Sequence, residues 1–117
     1  MGPRKYEAHQ SEMRSIITST IGGVMTEEVG AVTGELEIAT HPRARGIEVT
    51  VRYAGADEWY TVEGSPIEPD NDNGLSPPKL RKLHERVVRH LTTPGPIVEG
   101  NEQPVSLLGF SPIPGNA

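Results

Sequence analysis

The strongest constraint on the fold is an alternation in the middle of the chain. Ile47, Val49, Val51 and Tyr53 are interleaved with Glu48, Thr50 and Arg52. A period of two puts the apolar set on one face of a strand and the polar set on the other, and no helix gives that separation. Residues 32–39 repeat the pattern, with Val32, Gly34, Leu36 and Ile38 against Thr33, Glu35 and Glu37. Residues 58–63 (Glu-Trp-Tyr-Thr-Val-Glu) are rich in strand formers and make a third strand, with Tyr60 and Val62 on one face and Trp59 and Thr61 on the other. His41-Pro42 breaks the first strand, Arg43-Ala44-Arg45-Gly46 supplies a turn, and Ala54-Gly55-Ala56-Asp57 supplies a hairpin connection. Three strands with short links read as an antiparallel meander. Its polar face shows Glu35, Glu37, Glu48, Thr50, Arg52 and Trp59.

The flanking segments read as helices. Residues 77–91 carry Leu80, Leu83, Val87 and Leu91 at helical spacing, widened by Val88, behind a Ser76 cap and Pro77 at the first helical position. Residues 4–21 place Tyr6, Met13, Ile16, Ile17 and Ile21 near one helical face, with Gly22-Gly23 as the stop, although the stretch from Ser15 is rich in β-branched residues. The expected fold is α+β: an N-terminal helix, a three-stranded meander and a C-terminal helix, both helices covering one sheet face. One domain spans 1–93. Residues 94–117, with five prolines and four glycines, read as an extended tail from which Val105, Leu107, Leu108 and Phe110 could dock on the body or on a partner.

A length of 117 residues fits one domain. Only 34% of residues are hydrophobic, so the core is small, and a second copy of the chain would add buried surface. The absence of cysteine excludes disulfides, thiolate zinc sites and thiol nucleophiles. The polar start, Met1 to Gln10, has no signal-peptide core, and no run is long enough to span a membrane, which makes the cytoplasm the expected compartment. Arginine outnumbers lysine eight to three, a usage that suggests a GC-rich bacterial genome.

The net charge of −5 is unevenly spread. Residues 27–37 hold four acids and residues 57–72 hold six, neither stretch with a base; residues 79–90 hold five bases and one acid. Catalytic patterns are missing: there is no G-x-S-x-G, S-x-x-K or Walker loop. Asp70-Asn71-Asp72-Asn73-Gly74 echoes a calcium loop, but Arg81 stands at its twelfth position and the glycine comes at the fifth. Of the histidines, His84 falls inside the apolar stripe of the second helix. It reads as a core-edge residue with one hydrogen bond rather than a general base or metal ligand. No enzyme, metal or cofactor is expected.

The expected function is that of a small protein-interaction module (a regulator, adaptor or inhibitor-like partner), with homodimerisation open. Its candidate contact residues are Trp59 on the polar sheet face and Arg81, Lys82, Arg86 and Arg89 on the second helix. The alternative is RNA or DNA binding through the basic helix 79–90. The order helix, three strands, helix resembles that of double-stranded RNA-binding domains, which place lysines at the start of the second helix to bridge phosphates. Lys79 and Lys82 fall in the comparable region, while Ser76-Pro77-Pro78-Lys79 stands where that family has its lysine-rich entry. The likeness is one of topology.

Overall fold

The computed structural model describes residues 12–44, 46–68 and 76–111. Among these residues eight strands and one helix follow in order: β1 (Met13–Thr18), β2 (Val24–Thr26), β3 (Gly30–Val32), β4 (Glu35–Arg43), β5 (Gly46–Tyr53), β6 (Tyr60–Thr61), α1 (Pro77–Leu91), β7 (Ile97–Val98) and β8 (Asn101–Glu102). The main sheet is four-stranded in the order β1-β4-β5-β6, and all of its pairings are antiparallel. β2 with β3 and β7 with β8 form two small ribbons. Backbone bonds extend the main sheet past β6 onto β2: Glu27 N–H donates to the Thr61 carbonyl at 2.9 Å and Glu63 N–H to the Met25 carbonyl at 2.9 Å.

This corrects the expected fold. The molecule is mostly sheet with a single helix among the described residues, and the sheet has four strands rather than three. The N-terminal helix expected over 4–21 is replaced by β1 at Met13–Thr18, and residues 4–11 lie outside the described ones. The β-branched run Ile16-Ile17-Thr18 decides this locally, because such side chains lose rotamer freedom in a helix and pack well on a pleat. Burial alternates accordingly, with Arg14, Ile16 and Thr18 exposed and Ile17 in the core. Without that helix the likeness to double-stranded RNA-binding domains lapses. Gly22-Gly23 is not a helix stop but a point of close approach. A Cβ on Gly22 would lie 2.4 Å from the Gln103 carbonyl oxygen, and one on Gly23 2.5 Å from that of Val32.

The strand expected over 32–39 is divided. β3 ends at Val32, the chain turns through Thr33-Gly34, and β4 runs on through Pro42 to Arg43. Proline is tolerated for a reason that the register supplies. Ile47 exchanges both its backbone bonds with Ile67, at 2.7 and 2.8 Å, so the facing pair Pro42–Ile47 needs none. Proline's missing N–H therefore points to the β1 side, beyond Met13, where pairing with β4 ends among the described residues.

α1 is capped as its sequence dictates. The Ser76 side chain accepts from the Lys79 N–H at 3.4 Å, and Pro77 and Pro78 fill the first two helical positions. Thr92 and Thr93 close the other end by donating their hydroxyls to the Val88 and Arg89 carbonyls at 2.8 and 2.7 Å. The helix buries Leu80, Leu83, His84, Val87 and Leu91. Its core partners include Ile17, Leu36, Ile38, Val49 and Val51 from the sheet. The core continues through Val24, Val32 and Val62 into the C-terminal segment, where Val105 and Leu107 are buried, Phe110 is half-buried and Leu108 is exposed. Val105 forms a bridge to Val24, its N–H donating to the Gly23 carbonyl at 2.8 Å. No helix among the described residues is long and apolar enough to cross a membrane.

Candidate functional site

Three places gather chemistry-bearing side chains. The first is the sheet face turned away from α1. Cross-strand register sets opposite charges side by side there: Glu37 faces Arg52 and His41 faces Glu48. The Arg52 guanidinium bonds Glu37 at 2.8 Å, His41 Nε2 lies 2.7 Å from Glu48, and Arg43 bonds the same Glu48 oxygen at 2.9 Å. The His41 hydrogen bond, and then that of Arg43, hold the Glu48 carboxyl below its ordinary value. Trp59 lies across this face with the Arg52 guanidinium 4.5 Å and that of Arg14 5.2 Å from the indole. The ring thus bridges from beside β6 to β1. Ala39, in register with both Arg14 and Thr50, is only 1% exposed although it points away from the helix, so large side chains lie over it. Glu28 joins from the β2–β3 turn, accepting from both the hydroxyl and the N–H of Thr61 at 2.7 Å, which lowers its carboxyl.

The second place lies under α1. His84, 3% exposed, is bonded at both ring nitrogens: Nε2 lies 2.7 Å from the Ser15 hydroxyl on β1 and Nδ1 3.0 Å from the Thr40 hydroxyl on β4. Burial pushes the imidazole pKa down, so the neutral ring is favoured. The sequence implied one hydrogen bond; the fold supplies two. A serine on a neutral, oriented imidazole is the start of a nucleophile–base arrangement. The third member is a hydroxyl, however, and it cannot stabilise an imidazolium as a carboxylate does. The pair bridges the helix to two strands, and that is what its geometry accomplishes.

The third place is the solvent side of α1 and its C-terminal end. Lys79, Lys82, Arg86 and Arg89 fall within about 80° of one another around the helix, from 100° per residue. Lys79, Arg81, Lys82 and Arg89 are exposed and make no ion pair among the described residues. Arg86 differs: its guanidinium sits 5.1 Å over the Phe110 ring and donates to the Ser111 carbonyl at 2.8 Å, holding the C-terminal segment to the helix. At the end of the helix a cleft of about 310 Å³ opens among His90, Thr93, Pro94, Pro96, Pro104 and Leu108. His90 Nε2 donates to the Ser106 carbonyl at 2.9 Å, and its ring meets Phe110 edge-on at 5.2 Å. Beside the cleft, the β7–β8 ribbon presents Ile97 and Val98 to solvent, 63% and 50% exposed.

The sequence-derived candidates therefore separate. Arg81, Lys82 and Arg89 share the open side of α1, Arg86 is engaged internally, and Trp59 lies on the far side of the sheet. Trp59 and the helix cations do not form one contact patch. Sequence reading missed Arg14, which was assigned to a helix, and the Ser15 and Thr40 partners of His84. It also missed the cleft, which exists only because the C-terminal segment folds back. Arg52 and Glu37 were accessible through strand parity. The acidic loop 69–75, Arg45 and residues 112–117 lie outside the described residues. Among the described residues no cluster of three or more histidine and acidic side chains could hold a metal ion. Comparison of the chain with protein-family models, with curated proteins and with solved structures finds no match in any of the three.

Proposed function

We propose that this protein is an interaction module that binds a protein partner through the solvent side of α1 and the cleft at its C-terminal end. The carrying observation is the juxtaposition on one helix of exposed cations with no acid partner among the described residues (Lys82, Arg89) and an apolar, proline-lined cleft that His90 lines. A partner segment with acidic residues followed by apolar ones complements both halves. Apolar contact supplies affinity and the cations supply orientation and on-rate. The exposed side chains of Ile97, Val98 and Leu108 extend the apolar half.

The test is a binding titration with synthetic peptides that carry an acidic run followed by apolar residues, read by fluorescence polarisation. Arg89→Glu and Leu108→Asp each weaken binding about tenfold or more, a change of ~1.4 kcal/mol, and Trp59→Ala leaves it unchanged. Equal loss in all three variants would refute the assignment of this surface.

The second reading, RNA or DNA binding, draws on the same cations. It predicts an affinity that falls steeply as salt rises, because phosphate contacts release counterions, and no response to Leu108→Asp. The net charge of −5 opposes a polyanion at long range, and an apolar cleft offers a phosphate backbone nothing, so the protein-partner reading stands first.

A further inference from the structure

We propose that β1 is the seam of a symmetric homodimer, in which β1 of two copies pair antiparallel about Ile16 and join the two sheets. The seam is separate from the α1 surface and does not depend on the reading above.

β1 is an edge strand: it pairs with β4 on one side and with no described strand on the other. The register says which of its backbone groups are free. Ser19 N–H donates to the Gly34 carbonyl at 2.9 Å, continuing the β1–β4 ladder, so Met13, Ser15 and Ile17 bond inward to β4. The N–H and C=O groups of Arg14, Ile16 and Thr18 then point away from the sheet, and they find no backbone partner among the described residues. Protected edges carry proline, charged side chains (lysine above all), a bulge or very short length. β1 is six residues long, has neither proline nor lysine, and its one charged side chain, Arg14, is bonded to Glu12.

A two-fold axis through Ile16 sets outward-pointing residues opposite one another. Ile16 meets the second copy's Ile16, and Arg14 meets the second copy's Thr18, each pair exchanging both backbone bonds. Three features of the chain fit that register. Ile16, 62% exposed in the single copy, is covered by its own counterpart. Ser15 meets the second copy's Ile17 on the core side, so the inside–outside pattern continues across the seam. Thr18 donates its hydroxyl to the Glu35 carboxylate at 3.0 Å, and Arg14 is turned back onto its own copy's Glu12 and Trp59, so the two Arg14–Thr18 pairs bring no like charges together. Glu35 makes no ion pair among the described residues. Like faces meet, so the second copy's α1 lies on the same side of the joined sheet as the first.

The test is light scattering after size exclusion over a concentration series, on the full chain. The wild type is expected at twice the monomer mass of 12.7 kDa, and Ile16→Lys, which places two like charges on the axis, at the monomer mass with an unchanged circular dichroism spectrum. Because the chain has no cysteine, Ile16→Cys supplies a second reading. Cα atoms of an antiparallel bonded pair are about 5.5 Å apart, within disulfide reach. Oxidation then yields a covalent dimer much faster than for Val29→Cys, an exposed control. A wild type that stays monomeric throughout, with both cysteine variants oxidising equally slowly, overturns the proposal. So does a dimer that persists in folded Ile16→Lys.

Discussion

The outer face of the sheet and the outer side of α1 both carry several cations, but only the sheet neutralises its own. Arg14, Arg43 and Arg52 each bond a carboxylate, two of those carboxylates lying on neighbouring strands in the ladder. On α1 the lone acid Glu85 stands four residues from both Arg81 and Arg89 and bonds neither among the described residues. Register explains the contrast. Cross-strand neighbours are held ~5 Å apart whether or not their side chains meet, so a complementary pair forms at little entropic cost. An exposed helix pair must immobilise two long side chains for a few tenths of a kcal/mol. A self-neutralised face is a structural surface, and a face with unanswered charge is open to a partner.

The comparison assumes that α1 is fixed to the other side of the sheet, and the largest effect tests that assumption. Leu91 is fully buried at the end of the helix, and Leu91→Ala is expected to cost about 2–5 kcal/mol in urea unfolding. A loss below ~1 kcal/mol would mean that the helix is only loosely seated.

Next comes the polar bridge beneath the helix. His84→Ala leaves the Ser15 and Thr40 hydroxyls without their partner, at a cost of about 1–3 kcal/mol. The wild type should also lose stability on acidification. The folded-state pKa of His84 lies below its ordinary value of 6.5, so the unfolded chain binds the proton first and stability falls as pH drops below 6.5. Glu48 and Glu28 add a second decline below 4.5, because their stabilisation is present above that value and is lost as pH falls through their depressed folded values. The first decline should vanish in His84→Ala and the second should remain.

Trp59→Ala is a smaller perturbation, about 1–2 kcal/mol, from the loss of two cation–π contacts. It sharpens the comparison because it should reduce stability and leave peptide binding alone. Smallest in stability are Lys82→Glu and Arg89→Glu, within ~0.5 kcal/mol by thermal melting, since neither side chain has a partner to lose among the described residues. A larger loss would show that the helix cations are answered after all.

Several of these residues were readable before any fold was known. The parity of 47–53 put Glu48, Thr50 and Arg52 on the outer face, and the 3–4 spacing from Leu80 to Leu91 defined α1 with its cap. The parity of 58–63 put Trp59 and Tyr60 on opposite faces but left open which of the two meets the core, because a register slip of one residue exchanges them. β1 was not legible because apolar residues at 13, 16, 17 and 21 satisfy a helical period as well as their β-branching satisfies a strand, and only its partner β4 decides. The extension of β4 through Pro42 was hidden for a similar reason: whether proline breaks a strand depends on which neighbour its missing N–H would face. The cleft was invisible because it depends on contacts between residues some 80 positions apart, such as the bond of 3.1 Å from Gly22 N–H to Glu102.

Those distant contacts bear on how the chain is made. Val24, near the start of the described residues, is fully buried, and Val105, bridged to it from the C-terminal segment, is part of its cover. During synthesis the ribosome releases Val24 long before Val105, and in the interval the β2 end of the core lacks that part of its cover. A later-made segment completes the β2 end of the core. Folding of this protein must therefore be completed after translation of that segment, and a nascent chain halted at residue 93 should be held by chaperones or cleaved by proteases.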